Sequence, residues 1–274
     1  MEKEKLEFLQ SKALDVRKLT VEMIGRLGVG HIGGALSIID LLSVLYYDIA
    51  NVTPKDPQNP DRDRIVLSKG HAGPALYSVL ADKGYFPIEE IKTLNLPRTN
   101  LPSHCDMNKT VGIDMTAGSL GQGLSCAIGM ALAGKIDKKD YKVYCILGDG
   151  ESQEGQVWEA LMYAGNMRLD NLVIFVDNNG MQIDGMTSDI NGIEPLEEKS
   201  KAFNFHTQRI NGHDIEAIED AIHCANNTKD KCSLIILDTI KGYGVDWVSS
   251  KGYGCHSMSV SEEQWREFCG KEKD

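Results

Sequence analysis

The 274-residue sequence has no apolar run of the ~18 or more residues that a bilayer-spanning helix needs. It also lacks the apolar core of a signal peptide, since its opening MEKEKLEFLQ is charged and begins a helical pattern. Both absences point to a cytoplasmic protein that does not associate with membranes. Basic side chains are scarce. Lys and Arg number 29 against 40 Asp and Glu, for a net charge of −11. A surface this acidic argues against nucleic acid as a partner, because gripping its backbone takes clustered Lys and Arg. It would also repel a phosphorylated ligand unless a metal or local basic groups intervene. No Cys-x-x-Cys pair occurs among the seven cysteines, so they read as reduced thiols rather than zinc ligands or disulfides. Cys126 and Cys145 lie in apolar runs and are expected to be small buried hydrophobes. With no repeat, low-complexity tract or linker, one domain over 1–274 is expected.

Residues 4–27 place Leu9, Ala13, Val16, Met23 and Leu27 at helical spacing. A glycine-rich break follows at 28–34, and Ser37 reads as the N-cap of a helix through Tyr46. Residues 51–63 are a Pro-, Asp- and Asn-rich loop, 64–68 a strand and 72–83 a helix. The stretch 86–115 is irregular. From there strands at 143–147, 172–176, 207–210 and 234–237 alternate with helices at 121–134, 154–167 and 214–226. Most of these strands are continuous apolar runs, which suits a parallel sheet covered on both faces. The fold class is therefore α/β, a doubly wound, mainly parallel sheet flanked by helices. Ligands in such folds bind beyond the carboxyl ends of strands, at 148–154, 177–184 and 239–244.

Two of those strand ends are polar in a distinctive way. One is Gly148-Asp149-Gly150 and the other Asp177-Asn178-Asn179-Gly180. The chain between them suffices for one crossover helix, so both clusters should share one sheet edge. Asp149 offers carboxylate oxygen and Asn179 amide oxygen, the hard donors that Mg²⁺ and Ca²⁺ prefer. Glycine beside Asp149 lets main chain approach a phosphate closely, and a helix beginning near 154 would aim amide groups toward it. Either cluster alone is ordinary turn chemistry; the pair, at this spacing, resembles the thiamine diphosphate motif. That resemblance implies a divalent metal (Mg²⁺, or Ca²⁺ or Mn²⁺) held by Asp149, Asn179 and the carbonyl of Met181, answering the charge problem.

Histidines narrow the family. His31, His71, His104 and His256 all lie in glycine-rich or irregular segments, where imidazoles can bond sugar hydroxyls or phosphates and move protons. The segments DRDRIVLSKGH (61–71), TAGSLGQGL (116–124) and GDGESQEGQVWEA (148–160) resemble transketolases, in particular the N-terminal subunit of split transketolases. The resemblance covers nearly the whole chain. It implies that His71 and His256 contact the cofactor diphosphate, and that Gly118, Ser119 and Leu120 line its ring region. It further implies that the Gly150 amide meets the diphosphate, and that His31, His104 and His256 face the sugar and assist proton transfer. Glu154 matches a glutamate linking two active sites across a dimer. Cys105-Asp106 and Ser257-Met258 depart from the family pattern near the expected sugar channel.

In transketolases the glutamate that activates the cofactor's aminopyrimidine comes from a following domain. The resemblance therefore implies a C-terminal partner subunit supplying that domain, an α₂β₂ assembly, and ketol transfer between sugar phosphates of pentose-phosphate type. Two alternatives stay open: an α subunit of a 2-oxoacid dehydrogenase-type thiamine enzyme, and a scaffold subunit without chemistry. Gly28, Gly30 and Gly33 also match a dinucleotide fingerprint, but a helix rather than a strand precedes them, which argues against nicotinamide binding.

Overall fold

The computed structural model describes residues 1–271; residues 272–274 of the expected domain lie outside the described residues. The strands are β1 (Val29–Gly30), β2 (Arg64–Leu67), β3 (Val143–Gly148), β4 (Leu172–Asn178), β5 (His206–Asn211), β6 (Ser233–Asp238) and β7 (Met258–Ser259). The helices are α1 (Lys3–Leu27), α2 (Ile32–Leu36), α3 (Ile39–Val44), α4 (Gly73–Lys83), α5 (Gln122–Ile136) and α6 (Gly155–Asn166). They continue as α7 (Thr187–Asn191), α8 (Leu196–Ala202), α9 (Ile215–Asn227), α10 (Asp246–Ser249) and α11 (Glu262–Cys269).

Five parallel strands form the main sheet in the order β2-β3-β4-β6-β5. Its central strands are largely apolar because successive side chains enter two different cores. From β3, Val143, Cys145 and Leu147 pack under α5 and α6, while Tyr144 and Ile146 pack with residues of α1, α3, α4 and α9. Only β5, an edge strand, is polar and half-exposed. Helix α1 buries Leu9, Ala13, Val16 and Met23 as their spacing predicts, and Gly28 closes it at φ 89°.

Three expectations need correction. Ser37 does not cap the following helix; it ends α2, and its hydroxyl donates to Asp177 Oδ2 at 2.7 Å. Cys126 is half-buried on α5, whereas Cys145 is fully buried. Cys105 follows His104, which lines the pocket, but its own thiol does not enter it and is buried against Gly73 and Tyr77. The small antiparallel ladder of β1 with β7 was not foreseeable from two-residue strands. It pairs Gly30 with Met258 and so brings His31 beside His256. Among the described residues no helix is long and apolar enough to cross a membrane.

Candidate active site

The carboxyl ends of β2, β3, β4 and β6 open into a pocket of about 330 Å³. Of the residues singled out from sequence, His31, His71, His104, Gly118, Leu120, Asp149, Gly150, Glu154, Asn179, Met181 and His256 all line it. Ser119 is exposed beside them and is not a lining residue, and Glu154 stands exposed at the rim, one residue before α6. The approach of distant loops depends on Gly70, where a Cβ would lie 2.0 Å from the Ala117 carbonyl oxygen. Any larger residue there would push His71 away from the 117–120 segment.

The four histidines form one cluster. His31 lies with its ring centroid 5.7 Å from His71, 5.4 Å from His104 and 5.3 Å from His256. Burial pushes all four imidazoles below their ordinary range, and neighbouring positive charge adds to this at His71, His31 and His256. His256 is pushed down to about 3 by burial, then by Lys241. The cluster is thus neutral at neutral pH, able both to donate and to accept hydrogen bonds. An unfolded chain takes up this proton at about pH 6.5, the folded chain only near pH 3, so between them the unfolded state binds more protons. Stability is therefore lost as pH falls through that window. His256→Asn is expected to lessen the drop in Tm between about pH 7 and about pH 5. Scanning calorimetry would show it; a drop equal to the wild type's contradicts this reading.

Two lysines that motif reading passed over supply the missing positive charge. Lys69, 1% exposed, pairs with Asp177, 0% exposed, and donates to the Gly34 carbonyl at 2.8 Å. Lys241 donates to the Met181 carbonyl at 3.0 Å and lies 3.2 Å from His256 Nδ1. Both had a signal, since Lys69 sits in Ser-Lys-Gly-His and Lys241 just past β6. Burial alone would raise the Asp177 carboxyl, but Lys69, Thr239 and Ser37 outweigh it and hold the group below the usual range. Lys69→Met would leave that carboxylate buried without its partner and is expected to cost about 3–5 kcal/mol. Urea unfolding at neutral pH checks this; a loss under about 1 kcal/mol would mean Asp177 is neutralised some other way.

Asn179 donates its amide nitrogen to Asp177 at 2.9 Å, which fixes the orientation of its side-chain oxygen. Asp149 accepts from the Gly150 amide at 2.8 Å and from Thr187 at 3.0 Å. Burial, then the Asp177 charge, raises the Asp149 carboxyl, so the site favours a cation beside it. Carboxylate, amide and carbonyl oxygens from residues lining one pocket are a hard donor set, of the type that fits a divalent metal of the Mg²⁺ or Ca²⁺ kind. Glu151, also unforeseen, accepts from Ser68, Gly121 and Gly148 and ties the ends of β2 and β3 to the start of α5.

Residues 9–268 match the family model described as transketolase, thiamine diphosphate binding domain. The chain belongs to the transketolase family. It is 55% identical over 258 residues to the 6-deoxy-6-sulfo-D-fructose transketolase subunit SqwG of Clostridium sp. (strain MSTE9), covering 94% of both chains. It is 38% identical to an apulose-4-phosphate transketolase subunit of Phocaeicola vulgatus, covering 94% of this chain and 92% of that one. The crystal structure of transketolase from Campylobacter jejuni superposes with a TM-score of 0.89 at 32% identity, over 97% of this chain but 43% of that one. The transketolase fold is therefore as expected, and the dinucleotide motif is a decoy: α1 precedes Gly28, and β1 lies outside the main sheet.

Proposed function

We propose that this chain is the diphosphate-binding subunit of a two-subunit transketolase, folded as a single unit. The observation that carries the proposal is one pocket lined by Asp149, Asn179 and Met181 together with four histidines and two lysines. Asp149, Asn179 and the Met181 carbonyl would hold a divalent metal, Mg²⁺ first. His71, His256 and the Gly150 amide would contact the diphosphate, and Gly118, Ser119 and Leu120 the rings. Thiamine diphosphate, when bound, supplies the nucleophilic carbon and electron sink for breaking and forming carbon–carbon bonds. His31, His104 and His256 would hold the sugar hydroxyls and carry protons to and from them.

A partner subunit supplying the pyrimidine-side domain and its glutamate completes the site. Two observations support this. The chain spans nearly all of relatives named as subunits but only 40% of mouse transketolase. Met162, Tyr163, Met167 and Ile136 are also exposed on and beside α5 and α6, as at a surface awaiting another chain. An α₂β₂ complex in the cytoplasm follows as the simplest assembly, with Glu154 near its dimer contact.

The donor we propose is a ketose with an anionic group at its far end. The 55% identity to SqwG makes 6-deoxy-6-sulfofructose the first candidate and ketose phosphates of the pentose-phosphate type the second. Loss of two carbons from the sulfonated ketose leaves a four-carbon sulfonated aldehyde. Incubating the reconstituted complex with each donor, an aldose phosphate and Mg²⁺-thiamine diphosphate should yield that aldehyde or its phosphate counterpart by mass spectrometry. Turnover of 2-oxoacids, with neither ketose consumed, would overturn the reading in favour of a dehydrogenase component. Inertness toward all donors with cofactor bound would favour a scaffold.

A further inference from the structure

A second buried polar cluster, outside the pocket, grips the segment 239–245 that carries Lys241. Arg17 of α1 donates to both carboxylate oxygens of Asp40 of α3, at 3.1 and 3.2 Å. Its Nε also donates to the Tyr243 carbonyl at 3.2 Å. His213, 6% exposed in the loop between β5 and α9, lies 2.9 Å from Asp40 through Nδ1. Its Nε2 accepts the Ile240 amide at 2.8 Å. Because Nε2 accepts, the proton resides on Nδ1 and is donated to Asp40, so one neutral tautomer is selected. The imidazole stacks on Tyr243, centroids 3.5 Å apart and rings 13° from parallel. On the other side of Lys241, the Gly242 amide donates to the Gly33 carbonyl at 3.0 Å.

The main chain is thus fixed immediately before and after Lys241, by groups that never reach the pocket. We propose that Arg17, Asp40 and His213 are positioning residues for anion recognition, acting through Lys241: they set the ammonium beside His256 in the pocket lining, where it meets the anionic part of a ligand. The inference rests on the reading that this pocket takes a diphosphate. A purely structural clamp would stabilise the loop without any coupling to Lys241, and this difference is measurable.

The experiment uses the full chain with excess Mg²⁺, titrated calorimetrically with inorganic pyrophosphate. His213→Phe keeps the ring stack and removes both hydrogen bonds. It is expected to weaken pyrophosphate binding about tenfold, the worth of about one well-placed bond. His213→Gln, whose side-chain oxygen can take the place of Nε2, should recover most of that loss and guards against a misfolded Phe variant. In a Lys241→Met background, His213→Phe should change affinity less than about twofold, because the residue it acts through is gone. In parallel, acetylation of Lys241 in the ligand-free chain, followed by peptide mass spectrometry, should run about threefold faster in His213→Phe, since a released side chain is more accessible.

Equal losses in both backgrounds, or no loss with unchanged Lys241 acetylation, would overturn the proposal. A wild-type chain that fails to bind pyrophosphate, while its Lys241 acetylation still depends on His213, would refute the diphosphate reading and uphold the positioning of Lys241. Failure of both measurements would refute both.

Discussion

Supplied with thiamine diphosphate and Mg²⁺ but no partner, the chain is expected to turn over ketose donors roughly 10²–10⁴-fold more slowly than the complete complex. The reason is which carboxylates line the pocket or lie just behind it. Asp177, buried behind the lining, is committed to Lys69, and Glu151 to Ser68, Gly121 and Gly148. Asp149 already receives Gly150 and Thr187 and belongs to the proposed metal site. The remaining two lining carboxylates, Glu154 and Asp184, are exposed at the rim. A carboxylate that assists proton movement must be held within hydrogen-bond reach of the proton's carrier, shielded from water. Among the described residues none is placed this way; in the proposed complex the second chain brings it. Steady-state assays with and without partner decide the matter. Equal rates would mean that a rim carboxylate does this work and that the two-chain account is wrong.

Asp149→Asn carries the second large effect. Cofactor affinity at saturating Mg²⁺ should fall by about a hundredfold or more, because loss of the only anionic donor in the proposed metal set should exceed the effect of losing a supporting group. The ligand-free chain should not suffer. Burial and the nearby Asp177 already disfavour the Asp149 charge, as its raised carboxyl shows, and an amide oxygen can still accept from Gly150 or Thr187. Tm should therefore hold or rise while affinity collapses, a pairing that general misfolding cannot produce. Calorimetric titration and thermal melting of one preparation test both. A variant that binds cofactor like the wild type would remove Asp149 from the metal site.

Much of this was legible in the sequence because the relevant signals are local. The buried runs 143–147 and 172–176 gave parallel strands, and polar residues at their ends gave the pocket floor. What escaped depends on contacts between distant segments. Ser37 looks like a helix cap, but Asp177 offers its hydroxyl a buried, charged acceptor, and that bond wins. Lys69 and Lys241 look like ordinary surface cations until the fold sets them at the carboxyl edge of the sheet. Cys105 follows a pocket histidine yet points into the core, so the sequence departure there need not alter the sugar. The β1–β7 ladder that joins His31 to His256 is too short to leave a periodic trace.

The most direct test of the account is native mass spectrometry of the assembly purified from its own source. The account predicts two copies of this chain, two of a second chain, and thiamine diphosphate with a divalent metal bound in each site. A cofactor-saturated homodimer with no second chain, active in ketol transfer, would contradict it.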